Sequence, residues 1–181
     1  MATSQPSVSS RGIPKALFIE DVEDFISKQA SADEALKKMQ ENYSKFKLME
    51  MSLSKSKTAL KSKIPEIKNT LVIVQHLQSK KGSSETVNTQ FELSDNVYAT
   101  ASITPSVVCL WLGANVMVEY SFEEAVDLLT KNLESAEKNL KGLDEDIGFL
   151  KEQITTTEVN IARVYNHDVK QRRKKRDTAE Q

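Results

Sequence analysis

One cysteine, Cys109, stands in 181 residues, so no disulfide can close within the chain and no cysteine cluster can hold a metal. Only 5 glycines and 4 prolines are present, and Pro6 and Pro14 both fall near the start, leaving long stretches with nothing to break a helix. Aromatic residues make up 6% of the chain, too few for a large globular core. The longest apolar run, Val107 to Leu112, is far short of the roughly 18 residues a membrane-spanning helix needs. The opening Met1-Ala-Thr-Ser-Gln lacks the charged and apolar regions of a signal peptide. A soluble chain in a reducing, intracellular compartment, the cytoplasm with the nucleus also open to it, is therefore expected. The motifs of catalysis are missing too: no phosphate-cradling glycine loop, no nucleophile elbow and no His-Glu metal spacing. His76 and His167 are far apart in sequence, and Glu123, Glu124, Asp144, Glu145 and Asp146 lie where charge is frequent and a solvated helix face explains them. The expectation is a protein that is not an enzyme and takes no cofactor or metal.

What the chain has is charge, 28% of residues with a net of −1, and heptad order. From Val22 the apolar positions recur three and four apart. One column of that seam, Phe25, Ala32, Met39, Phe46, Leu53, Leu60, Ile67 and Val74, is apolar throughout, while the other contains Gln29, Glu50 and Lys57. Pro65 on the outer side predicts a bend without a domain break. A second seam opens at Ser121-Phe122-Glu123-Glu124, a capping box, and runs through Val126, Leu129, Leu133, Leu140, Ile147, Leu150, Ile154 and Ile161 to Val164.

Between the two seams the period changes to two. After the breaker cluster Ser79 to Ser84, Phe91 and Leu93 alternate with polar residues up to Ser94-Asp95-Asn96, and Val97, Ala99, Ala101 and Ile103 alternate after it. A second pair, Val107 to Leu112 and Val116 to Tyr120, is joined by Gly113-Ala114-Asn115, whose residues tolerate positive φ. The fold class predicted is α+β: a long antiparallel two-helix coiled coil with two β-hairpins inserted at one end. The segments are a disordered or partly ordered leader at 1–19, a helix at 20–80, hairpins at 81–120, a helix at 121–171 and a basic disordered tail at 172–181.

Seams of an antiparallel pair match when partner numbers add to about 200, which leaves the first helix without apolar partners towards its start. Leu17, Phe18, Ile19, Val22, Phe25 and Ile26 then form an apolar patch at the free end, a candidate surface for binding other chains. A frayed terminus accounts for the same residues equally well. Isolated hairpins are marginal in water and their edges invite pairing. Phe91, Leu93, Val97, Val108, Leu110, Trp111, Leu112, Val116 and Val118 are therefore candidates for an oligomer interface, with a self-contained sheet as the lesser reading. The run Lys170 to Arg176 reads as a solvated basic tail; a nuclear signal or nucleic-acid contact is the weaker reading.

The order helix, two hairpins, helix resembles the alpha class of prefoldin subunits of eukaryotes. The resemblance is carried by Arg11-Gly12-Ile13-Pro14-Lys15-Ala16, Phe18-Ile19-Glu20-Asp21-Val22, Ile64-Pro65-Glu66-Ile67-Lys68, Val108 to Met117 and Thr155 to Asn166. It implies a heterohexamer of two alpha-class and four beta-class subunits, in which the hairpins build a central platform and the coils hang from it. It further implies that the coil tips hold non-native actin and tubulin and deliver them to the cytosolic chaperonin without ATP. A coiled-coil scaffold or adaptor with a nuclear role is the alternative reading.

Overall fold

The computed structural model describes residues 12–29, 31–81 and 86–179; Met1 to Arg11 of the leader and Gly82 to Glu85, with the end of the breaker cluster, lie outside the described residues. Among the described residues three helices and four strands follow one another: α1 (Val22–Ser27), α2 (Ala32–Ser79), β1 (Val87–Ser94), β2 (Val97–Ile103), β3 (Val108–Gly113), β4 (Val116–Tyr120) and α3 (Phe122–Ala179). The chain divides into two compact units, one of Met1–Thr58 with Lys141–Gln181 and one of Ala59–Leu140, so α2 and α3 contribute to both.

In the first unit α2 and α3 run antiparallel. Phe46 packs with Leu150 and Ile154, and Leu53 and Phe149 close over the same cluster. The pair Lys57–Asp144 crosses between the helices, as does Tyr43 to Glu158. Because the Tyr43 hydroxyl is hydrogen-bonded to the Glu158 carboxylate, its proton is held more tightly than in a free phenol. These pairings follow the register expected from the seams.

The single first helix expected from residue 20 is interrupted. Asp21 caps α1, its carboxylate accepting from the amides of Glu23 and Asp24 at 2.9 and 3.1 Å. Ser31 then starts α2, its Oγ accepting from the amide of Glu34 at 3.1 Å. A side-chain oxygen that satisfies an orphan amide fixes a helix start wherever it occurs, and here two such starts lie ten residues apart. Pro65 lies inside α2 without ending it. The tail also differs from expectation, since α3 continues through the basic run to Ala179. Arg172 pairs with Asp168 at 2.7 Å and with Asp33 at 2.9 Å, and cations at a helix C-terminus meet the negative end of its dipole.

In the second unit Val74, Phe122, Ala125 and Leu129 form the buried core, with Ile67, Leu71, Leu77 and Val126 packed around them. Lys68 reaches Glu137 at 2.7 Å across the helices. Ser121 and Glu124 form the expected capping box: the amide of Glu124 donates to Ser121 Oγ, and the amide and hydroxyl of Ser121 donate to the Glu124 carboxylate. Next to it the Glu123 carboxyl is held below the usual range, first by a hydrogen bond from its own backbone amide and then by Lys81.

The four strands make two separate two-stranded antiparallel sheets, β1 with β2 and β3 with β4. Asn96 adopts φ 62° at the first turn, and Ala114 and Asn115 adopt φ 48° and 64° at the second. Two successive residues of positive φ give the turn whose twist matches paired strands, as the Gly113-Ala114-Asn115 sequence predicts. The bulge between Trp111 and Gly113 sits beside that turn.

Candidate functional site

The first unit carries a feature that periodicity did not reveal. Residues 13–21 have no regular structure of their own, yet they are tied along α3. Ile13 is buried among Phe46, Leu150 and Ile154. The amide of Ala16 donates to Gln153 Oε1 at 2.8 Å. Asn160 takes hold at two points: its Oδ1 accepts from the amide of Ile19 at 3.0 Å, and its Nδ2 donates to the carbonyl of Leu17 at 2.7 Å. Arg163 donates to the carbonyl of Glu20 at 2.8 Å. His167 lies 3.2 Å from Glu23 at the start of α1. Numbers rise together on both partners, so this strap runs parallel to α3.

Gln153, Asn160 and His167 are seven residues apart, one column of the heptad beside the apolar seam. Gln153 and Asn160 are only 3% and 5% exposed. A buried amide needs partners for both its oxygen and its nitrogen, and Asn160 finds both on the strap's main chain. These are the residues that the sequence reading missed. The repeat of polar side chains at heptad spacing was the signal available, and its middle member, Asn160, lies within the Thr155 to Asn166 stretch that carried the family resemblance.

The strap sorts the six residues expected to form the free apolar patch. Ile19 is buried, a correction to its expected exposure: the strap turns it inward as its amide reaches Asn160. Leu17 and Phe18 point outward, 70% and 51% exposed, and the guanidinium of Arg163 lies 5.0 Å from the Phe18 ring centre. Val22, Phe25 and Ile26 are half-buried. Between strap and α1 on one side and α2 on the other opens a cavity of about 790 Å³, lined by Phe25, Met39, Phe46 and Met49, with Thr157 and Asn160 contributing polar atoms.

In the second unit, register divides the candidate interface residues by face. Val108, Leu110 and Tyr120 pack on the core around Phe122, with Val118 half-buried opposite Leu110, so Val108 and Leu110 are half-buried against this chain's own core. The alternate positions Trp111 and Met117 pair across the strands and are exposed, as are Leu112 and Val116 near the turn. On the first hairpin Val87, Thr89 and Phe91 pair with Ile103, Ala101 and Ala99, placing them on one face. Phe91, Leu93, Val97 and Ile103 are exposed. The strand expected to need cover on both sides thus receives it on one side from its own helices and lacks it on the other.

Among the described residues no His, Cys, Asp and Glu side chains gather as a metal site would require, and no helix is long and apolar enough to cross a membrane.

Comparison with known proteins gives a consistent grouping. The family model described as Prefoldin subunit matches residues 46–167. The chain is 52% identical over 177 residues to Prefoldin subunit 3 of Homo sapiens, covering 96% of this chain and 90% of that one. It is 45% identical over 176 residues to Prefoldin subunit 3 of Elsinoe fawcettii, covering 97% and 89%. With Probable prefoldin subunit 3 of Schizosaccharomyces pombe it shares 47% identity over 178 residues, covering 96% and 98%. A solved structure of filamentous PFD from Methanocaldococcus jannaschii is similar with a TM-score of 0.49 and 17% identity, covering 64% of this chain and 94% of that one.

Proposed function

The chain belongs to the prefoldin family and is by that membership a prefoldin co-chaperone subunit, and from that premise we propose that it works within a hexamer of two alpha-class and four beta-class subunits, holding unfolded or nascent chains at the free end of its coil. Non-native actin and tubulin are the clients proposed, the cytosolic chaperonin is the recipient, and no ATP is consumed. The cytoplasm is the proposed location, with the nucleus also open to it through the basic run Lys170 to Arg176.

The observation that carries the reading is the outward display of Leu17 and Phe18 on a strap fastened by its main chain, beside half-buried Val22, Phe25 and Ile26. Apolar side chains held in water by an ordered backbone gain by contact with another apolar surface. Each contact is weak, but several arms in one complex raise the effective concentration of the next, so a client is retained while single contacts release. The open hairpin faces support assembly by the same reasoning.

The test is Leu17→Ser with Phe18→Ser in the assembled complex. Removing two exposed apolar side chains leaves the fold nearly unchanged. The affinity for an unfolded client should fall about thirtyfold, since two contacts are lost and each is worth on the order of 1 kcal/mol. Light scattering of an aggregating client measures it; unchanged suppression would remove this surface from the capture mechanism. A single saturable folded partner, with no affinity for unfolded chains, would instead favour the scaffold reading.

A further inference from the structure

Gln153 and Asn160 touch the strap through groups that every residue possesses. Asn160 binds the carbonyl of one residue and the amide of the second residue after it, and Gln153 accepts from a third main-chain group, the amide of Ala16. No side chain of residues 16–19 enters these bonds. Recognition through main-chain groups is indifferent to sequence and demands only an extended segment. Beneath the strap lie Phe46, Leu150 and Ile154, which Ile13 covers, and beside it lies the cavity with Met39 and Met49, side chains that repack readily around different partners. An extended apolar segment of any unfolded chain would find the same two kinds of contact that the strap makes.

We propose that residues 13–21 are a resident stand-in for an extended segment of unfolded polypeptide, and that such a segment binds by displacing the strap from Gln153, Asn160 and Arg163 and from the apolar floor at Phe46, Leu150 and Ile154. The inference rests on the capture reading above and deepens it by naming the form of ligand recognised and the residues that recognise it. First contact falls on Leu17 and Phe18, which face outward; exchange then uncovers the deeper surface. The strap is suited to exchange because few of its side chains are buried, Ile13 and Ile19 above all, while its bonds to α3 are of a kind that an incoming main chain replaces one for one. Segments with few buried contacts open locally without global unfolding. A strap that must leave before a ligand enters lowers apparent affinity by the fraction of time the site stands open, so capture is restrained in the absence of client and the site is not left bare to water.

The experiment uses the assembled complex and, as probe, a permanently unfolded chain made by reducing and carboxymethylating a disulfide-rich protein. Hydrogen exchange is followed at the amides of Ala16 and Ile19 with and without saturating probe. Exchange at both should accelerate when the probe is bound; unchanged protection at saturation overturns the proposal. Independently, Ile13→Ser with Ile19→Ser should loosen the strap while keeping Gln153 and Asn160, tightening probe affinity about tenfold if the open site is about a tenth populated in the parent. Adding Asn160→Ala should cancel that gain. Unaltered or weaker probe affinity in the Ile13→Ser, Ile19→Ser complex, correctly assembled, would count against exchange. Failure of the unaltered complex to bind the probe at all would instead defeat the capture reading, so the two failures are distinguishable.

Discussion

Replacing Phe122 by alanine should cost about 3–5 kcal/mol, the range found when a large buried ring is removed and its surroundings close only in part. Phe122 is 0% exposed and sits at the first position of α3, immediately after the β4 strand and the Ser121 cap. Its ring joins three parts of the second unit: Val74 and Leu77 of α2, Ala125 and Leu129 of α3, and Val108, Leu110 and Tyr120 of the second hairpin. Lys81 Nζ also lies 5.9 Å from the ring centre. No single neighbour can fill the space it leaves, because those neighbours belong to elements fixed by separate backbone hydrogen bonds. Urea unfolding of the full chain should show the loss, with exchange at the β3–β4 amides accelerated more than exchange in α3 around Leu150. Val72→Ala, at an exposed position of α2, supplies the comparison and should stay within about 0.5 kcal/mol of the parent. A loss below about 1 kcal/mol for Phe122→Ala would mean that the hairpin is held to the helices by other contacts.

The long helices, the two hairpins and their turns were legible because each rests on a local period or a local φ requirement. Seam columns spaced by three and four, alternation by two, and Gly113-Ala114-Asn115 act over a few residues and cannot be satisfied in many ways. The helix pairing was legible for a related reason: two apolar seams match in few registers, and Phe46 with Leu150 and Ile154 is the register seen. The strap was not. An extended segment fastened by its main chain leaves no periodic trace; Ile13 within it resembles a stray apolar residue, and Ile19 merges with the outward patch of Leu17 and Phe18. Its receptors looked like ordinary polar positions on a helix. The break before Ser31 was readable from Ser31-Ala32-Asp33-Glu34, a capping box in form, but the seam continued in phase across it and masked the interruption. The helical tail was hidden by composition. A run of like charges predicts repulsion and disorder, yet Asp33 and Asp168 supply counter-charge from elsewhere in the first unit.

Trp111→Asp should leave the isolated chain almost as stable as before and prevent its assembly with partner subunits. Both halves of that outcome come from the register of β3 with β4. Trp111 faces away from the core that Val108 and Leu110 join, pairs with Met117, and is 61% exposed, so its replacement removes nothing from the second unit's interior. Substitutions at such positions change stability by about 0.5 kcal/mol or less. In an interface the same side chain is the kind that dominates binding, since tryptophan buries a large, stiff surface with little entropy to lose; truncating such a residue costs about 2–4 kcal/mol, or roughly thirty- to several-hundred-fold in affinity. Aspartate goes further than truncation, because a carboxylate carried into an apolar contact must shed its water with no partner provided. If Phe91 and Ile103 on the open face of the first hairpin meet neighbours in the same way, Phe91→Asp should act in the same direction. Native mass measurement after co-expression with partner subunits reads the result: the Trp111→Asp chain should appear free, with its thermal unfolding close to that of the parent. A complex of full size at the parent's concentration dependence would show that the exposed sheet face is not the assembly surface. The apolar cover missing from β3 and β4 would then have to come from a client or a different chain.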